Sequence, residues 1–238
     1  MGARPYDFIF GSPIWVWVGA AIVTVTALLM FFFIFWDIVR PKAIKSVTVG
    51  NSTIELWERE RKMPGTAEAI IVPVAPDLKM STGIAKWVRD ATAGAVQYEA
   101  QKVAPLPPGD AFVGSGGRYR FAVAALAVVM DDTKRTSPEW ITQAIAQALV
   151  MIRGRDAATC LLPDMTEDLL RQPQWISDDQ RRETCRPIAR AMINGVLAGA
   201  EDMEVKIWVW RGNRDIWEEE FARLEVETSN GHAHALPA

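Results

Sequence analysis

Histidine and cysteine are scarce. The 238-residue chain has two histidines, His232 and His234, both among its last seven residues, so no folded active site is built on histidine. Two cysteines, Cys160 and Cys185, are too few for a disulfide framework or a zinc cluster. As free thiols they fit a reducing compartment. An excess of one charge sign is also missing. Lysine and arginine number 26 against 29 acidic residues, a net charge of −3, which argues against a strongly basic nucleic-acid binder. Disorder is excluded by a 50% hydrophobic content with only 23% charged residues. No internal repeat is evident. Tryptophan, by contrast, is plentiful at 10 residues, and its placement is informative.

From Ile14 to Trp36 the chain runs for 23 residues without a charge. At about 1.5 Å per helical residue this spans roughly 35 Å, enough for a bilayer core with some tilt. Trp15 and Trp17 stand at one end and Trp36 at the other, as membrane-interface residues do, and Asp37, Arg40, Lys42 and Lys45 stop the run. A cleaved signal peptide needs a shorter apolar core and small residues at the cut. This core ends in Phe31-Phe32-Phe33-Ile34-Phe35-Trp36, which predicts a retained transmembrane helix. Arg4 alone precedes it, whereas Arg40, Lys42 and Lys45 follow, so the positive-inside rule places the N-terminus outside and the C-terminal part in the cytoplasm of a bacterial inner membrane. A small-residue strip, Gly19, Ala20, Thr24 and Ala27, is either lipid-facing or a contact for another helix. The expected organisation is an extracytoplasmic segment at 1–13, a transmembrane helix at 14–38, a cytoplasmic domain at 39–227 and a flexible tail at 228–238.

The remaining part is long enough for a single domain with its own core. Ser46–Val49 alternates like a strand, turns at Gly50-Asn51 and returns through Ile54–Trp57. Ala69–Val72 is a continuous β-branched run, as a buried strand of a mixed or parallel sheet requires. Ser81 or Thr82 can cap a helix with Ile84, Ala85, Val88 and Ala91 on one face. Ala111–Val113 and Phe121–Val129 read as strands joined by Gly114-Ser115-Gly116-Gly117. Ser137, Pro138 and Glu139 open a helix that runs to Gly154. Thr159–Leu162 is another strand, Ser177 with Gln180 a capping box for a helix to about Ala200, Val205–Val209 a late strand, and Ile216–Leu224 a last helix. Strands alternating with helices predict a three-layer α/β domain.

Several clusters have two readings. Gly114–Gly117 is a phosphate cradle or a hairpin turn; it lacks the lysine and following helix of a P-loop, which favours the turn. Asp131-Asp132 is a cation site or a solvated strand end, and without a third ligand nearby the latter is favoured. Asp178-Asp179 ahead of Arg181-Arg182 suits the start of a helix. Glu218-Glu219-Glu220 reads as a solvated helix face. Trp208 and Trp210 share one strand face and, with Trp217, form either a core edge or an exposed contact surface. No metal and no cofactor are expected.

Between Ala69 and Glu99 the chain resembles the macro domain family, which binds ADP-ribose and in some members hydrolyses it from proteins. The family pattern is a strand ending in Val-Asn-Ala-Ala-Asn, then Leu, a triple-glycine loop and a helix followed by Ala-Gly and a glutamate. The corresponding residues are Val72-Pro73-Val74-Ala75-Pro76, Leu78, Ser81-Thr82-Gly83, Ala93-Gly94 and Glu99. Pro105–Ala111 is similar to the family's proline-rich turn and Gly-Asp, and Leu161-Leu162-Pro163 to the strand before its second phosphate loop. The resemblance covers roughly 46–210 and implies an α/β/α macro-like domain with a mixed sheet.

The departures bear on function. Pro73 and Pro76 stand where the family has asparagines, and proline has no amide to hold a ribose hydroxyl or a water. Gly83 alone remains of the three glycines, with Ser81 and Thr82 obstructing close approach of a phosphate. The second loop, 164–170, carries Asp164, Glu167 and Asp168, which would repel a pyrophosphate. Asn51 is the nearest counterpart of the adenine-contacting aspartate. The degenerate ligand positions are therefore Asn51, Pro76, Ser81, Thr82, Gly83 and Asp164.

The expected function is a non-enzymatic subunit: a membrane helix in the bilayer anchors a degenerate macro-like domain that braces integral membrane protein subunits of a larger complex, a photosynthetic reaction-centre or light-harvesting assembly being one setting. ADP-ribose binding is expected to be weak or absent. The alternative is a membrane-tethered ADP-ribose or nucleotide sensor that uses backbone groups; an enzyme acting on ADP-ribosylated substrates is the third reading.

Overall fold

The computed structural model describes residues 14–39, 43–58, 67–117, 121–166, 169 and 177–229. The chain divides into two units, Met1–Pro41 and Lys42–Ala238. In the first, α1 (Ile14–Val39) is a continuous helix of 26 residues. Its described side chains run from Trp17 to Phe32 and all are exposed. The two hydroxyls among them are satisfied within the helix: Thr24 donates to the Ala20 carbonyl at 2.9 Å and Thr26 to that of Ile22 at 2.8 Å. Among the described residues no helix is long and apolar enough to cross a membrane. The membrane span expected over 14–38 is therefore not found among the described residues, although the helix is. The segment 1–13 and the side chains of Trp15 and Trp36 lie outside the described residues.

The second unit is built on seven strands: β1 (Lys45–Val49), β2 (Ser52–Glu58), β3 (Ala69–Val74), β4 (Ala111–Ser115), β5 (Val123–Val128), β6 (Thr159–Pro163) and β7 (Glu204–Val209). Their order across the sheet is β1-β2-β7-β6-β3-β5-β4. The strands from β2 to β5 in this order run parallel, and β1 and β4 close the edges antiparallel. Among the described residues five further α-helices follow, α2 (Gly83–Ala91), α3 (Ala95–Ala100), α4 (Pro138–Arg153), α5 (Asp178–Gly199) and α6 (Arg214–Ser229), with a 3-10 turn at Arg211–Asn213 just before α6.

Side-chain alternation assigns the layers. Ala69 and Ile71 of β3, Ala125 and Ala127 of β5, and Cys160 and Leu162 of β6 pack with α4 and α5. Their neighbours Ile70, Val72, Val74, Ala124, Leu126, Val128 and Leu161 pack with α2 through Ile84, Ala85 and Val88. Central parallel strands are covered on both faces, which is why AIIVPV and VAALAV are apolar at every position. On β2 only alternate residues are buried.

The helix starts follow their sequence signals. Ser137 accepts from the Trp140 N–H, with Pro138 in the first turn. Ser177 and Gln180 form the reciprocal capping box of α5. α3 was not expected; at six residues it is too short to show a helical period. α6 continues to Ser229, so Thr228 and Ser229 belong to the helix and not to a tail. Its glutamates differ too: Glu220 is 3% exposed and pairs with Arg190 at 3.0 Å and Arg223 at 3.0 Å, so it is no solvated face but the tie between α5 and α6. Trp217 is fully buried, Trp208 is partly buried against the α2 layer, and Trp210 is exposed.

Close approach of α4 and α5 depends on glycine. A Cβ on Gly199 would lie 2.5 Å from the Ala146 carbonyl oxygen, and one on Gly195 2.8 Å from that of Thr142. Gly199→Val should therefore cost about 1–3 kcal/mol by overpacking, whereas Gly154→Ala, whose Cβ meets nothing nearer than 3.4 Å, should be neutral or stabilising. Urea denaturation of the two variants separates these outcomes.

Candidate functional site

The parallel strands end at one edge of the sheet, where an open α/β fold collects its ligand loops. A gap opens there for a specific reason. β3 and β6 share only the register pairs Ala69↔Cys160 and Ile70↔Leu161, while β3 stays with β5 to Val74↔Val128 and β6 stays with β7 to Pro163↔Trp208. Pro73 falls in the length of β3 that has no β6 pairing, where its missing N–H leaves no ladder position empty on that side.

The crevice that results has a volume of ≈ 170 Å³. Pro73, Val74 and Ala75 form one wall, Ser81, Thr82 and Ala85 another, and Asp77, Lys79, Met130, Lys134 and Leu169 complete it. The loop after β3 is pegged by the fully buried Leu78 and Met80. Within it the Leu78 N–H donates to the Ala75 carbonyl at 2.9 Å, and the Leu106 N–H donates to the Pro76 carbonyl at 3.0 Å. Thr82, the residue ahead of α2, is extended and makes no side-chain cap hydrogen bond. Gly83 has φ +54°, a conformation that favours glycine.

Two loops supply charge. The Asp77 carboxylate accepts from the Lys79 N–H at 3.1 Å and pairs with the Lys79 ammonium at 3.1 Å. Burial pushes the Asp77 carboxyl up, but Lys79 and Lys134 outweigh it and hold the group below the usual carboxylate range. In the loop after β5, the Asp131 carboxylate accepts from Arg135 N–H at 2.9 Å and from the Thr133 hydroxyl at 2.8 Å, which lowers its pKa. These bonds account for Asp131 within its own turn.

The predicted ligand residues do not all meet. Ser81, Thr82 and Gly83 are exposed at the mouth of α2, and Ser81 and Thr82 line the crevice. Pro76 does not; it is buried beneath the turn. Asp164 is 4% exposed and is engaged below the surface: it accepts from the Thr166 N–H at 3.0 Å and hydroxyl at 2.7 Å, and from the Asn213 amide at 3.1 Å. It ties the end of β6 to the start of α6 and does not line the crevice. Glu167 and Asp168 lie outside the described residues. Asn51, in the β1–β2 turn, sits at the opposite edge of the sheet, because β2 runs parallel to β3 and Asn51 precedes it. A residue reaching the crevice from β2 has to follow Glu58.

Gly114–Gly117 also lies at that opposite edge. A Cβ on Gly116 would overlap the Phe121 backbone, and Gly117 has φ +75° with Thr92 against it, so the glycines serve a turn. Gly19, Ala20, Thr24 and Ala27 are exposed along α1. Sequence reasoning overlooked Lys79, Lys134 and Leu169. The usable signal was their position in loops that leave parallel strands.

Solved structures share this architecture. A mutant macrodomain of Oceanobacillus iheyensis superposes with a TM-score of 0.60 at 14% identity, covering 77% of this chain and 98% of that one. The fold is that of the macro domain. The Oceanobacillus iheyensis macrodomain with ADP gives a TM-score of 0.59 at 14% identity over 77% of this chain and 97% of that one. The macro domain of ganglioside induced differentiation associated protein 2 gives 0.51 at 11% identity over 70% and 81%. No family model and no curated protein matches the chain. At these identities the likeness shows the fold alone, with the crevice at the edge where this fold gathers its loops.

Asn213 is the element of the Asp164 tie that can be removed without adding charge. Asn213→Ala should cost about 1–3 kcal/mol, because it leaves buried acceptors short of a donor; thermal denaturation measures it. Asp215 behaves like Asp77: burial raises its carboxyl, but Arg181 and Arg182 outweigh this and lower it. Stability from such depressed carboxyls is complete above the unfolded value near pH 3.9 and is lost as pH falls through the folded one. Asp215→Asn should therefore lower stability at neutral pH and flatten the acid limb below about pH 4 in pH-dependent denaturation.

Proposed function

We propose that the domain is a non-enzymatic binding module for an ADP-ribose- or nucleotide-type ligand, tethered to a membrane by the N-terminal helix. The crevice carries this reading. It brings the start of α2, without a side-chain cap, together with Lys79 and Lys134. Unsatisfied N–H groups at a helix start and two ammonium groups are donors for a phosphate or pyrophosphate. A neighbour that shares the fold was solved with ADP, which supports the ligand class. Hydrolysis is not part of the proposal, because Pro73 and Pro76 supply no amide to orient a water.

The tether is supported by the uncharged run from Ile14 to Trp36, by the continuous helix over it, and by hydroxyls bonded inside that helix. A second reading, a brace for integral membrane protein subunits, rests on the exposed apolar surface of α1 with its Gly19, Ala20, Thr24 and Ala27 strip.

Titration calorimetry of the full chain in mild detergent tests the main reading. Binding of ADP-ribose or ADP is expected, and a Lys79→Glu, Lys134→Glu variant should weaken it by about tenfold or more, the loss of two charge-assisted contacts. No heat up to millimolar ligand would overturn the binding reading and leave the brace. Cysteines placed singly at Ser12 and Ser46 test the topology: an impermeant reagent should label position 12 in intact cells and spare position 46.

A further inference from the structure

We infer that Asp77 sets the charge of the ligand: the crevice accepts a singly charged, esterified phosphate and selects against a doubly charged terminal one. This rests on the nucleotide-type reading proposed above and deepens it, because two lysines and a helix start alone would favour whichever ligand carries more negative charge.

The crevice does not present its two ammonium groups unopposed. Its charged lining residues among those described are Lys79, Lys134 and Asp77, one positive charge in excess. Asp77 is a fixed part of the wall. The Gln101 side-chain amide donates to the Asp77 carbonyl at 2.9 Å, and the next residue, Leu78, is fully buried. One Asp77 carboxylate oxygen accepts from the Lys79 N–H at 3.1 Å, and the other meets the Lys79 ammonium at 3.1 Å. Burial raises this carboxyl, but Lys79 and Lys134 outweigh it, so the negative charge is kept at neutral pH.

The ion pair is open to exchange. The Lys79 side chain is 64% exposed and that of Asp77 47%, and a pair so exposed contributes little. An incoming phosphate can take the Lys79 ammonium as a donor. The Asp77 carboxylate stays, because the Lys79 N–H holds it within its own turn. The first negative charge of a phosphate then balances the excess in the lining. A second charge on the same phosphate finds no further cation there and lies beside Asp77. The loop that carries Lys134 acts in the same direction, since Asp131 and Asp132 outnumber Arg135. A terminal phosphate carries about −1.5 to −2 at pH 7, whereas esterification leaves one charge.

Calorimetry of the full chain in mild detergent tests the inference with two probes, ADP and ADP methylated on its terminal phosphate. They differ by one methyl group and, at about pH 8, by one charge. The wild-type chain should bind the methyl ester about threefold or more tighter than ADP. In Asp77→Asn the side-chain amide oxygen still accepts from the Lys79 N–H, but the charge is gone. ADP should then gain about three- to tenfold more affinity than the ester does, the effect of one unit charge a few ångströms away across solvent. Asp77→Glu keeps the charge and should keep the wild-type order. Equal gains for the two probes in Asp77→Asn, or an Asp77→Glu that behaves like Asp77→Asn, would overturn this inference and leave the binding reading standing. No heat from either probe with any of the three chains, up to millimolar concentration, would overturn the binding reading and this inference with it.

Discussion

The parting of β3 from β6 after two register pairs is the constraint on which the site depends. A parallel sheet whose strands stay paired to their ends has no room between them. Here β3 follows β5 and β6 follows β7, so the middle of the sheet opens at one edge. Pro73 is tolerated because it falls in the opened length, and the opened strand ends need other fastenings. Asp164, Thr166 and Asn213 provide one by tying β6 to α6; Leu78 and Met80 provide the other by pinning the loop after β3 into the α2 layer.

Local signals in the sequence carried most of the fold, because they report on neighbours along the chain. Ser177 with Gln180 and Ser137 with Pro138 mark helix starts by chemistry confined to one turn. The apolar runs at β3 and β5 mark buried parallel strands for the same reason. The site was less legible. The position of Ser81 and Thr82 at the crevice follows from the helix that they precede. The edge that Asn51 occupies does not, since only the direction of β2 in the assembled sheet fixes it. Lys79 and Lys134 meet across about 55 positions of chain, a juxtaposition that local pattern does not encode.

Charge was the least legible property, and the two misread acids show why. Glu220 stands in a run of glutamates, and Asp164 in an acidic loop; composition makes both look solvated. Each is buried, and in each case one partner comes from far along the chain: Arg190 reaches Glu220 beside the neighbouring Arg223, and Asn213 meets Asp164. A buried carboxylate is tolerated only when such partners converge.

Size sets the last constraint. A cavity of ≈ 170 Å³ is below the about 300–1,000 Å³ typical of small-molecule sites. It suits one phosphate-bearing portion of a nucleotide-type ligand better than the whole of it, so intrinsic affinity is expected to be modest. A tether offsets modest affinity. Confining the domain and a membrane-borne ligand to one surface makes their encounter effectively intramolecular, with local concentrations that reach the millimolar range for short linkers. A crevice too shallow to capture a dilute soluble nucleotide can then still be occupied, provided that its ligand is presented at the bilayer. Under the proposed function, the shallow crevice would limit response to free nucleotide, and a tether would restore occupancy where the ligand is fixed to the same membrane.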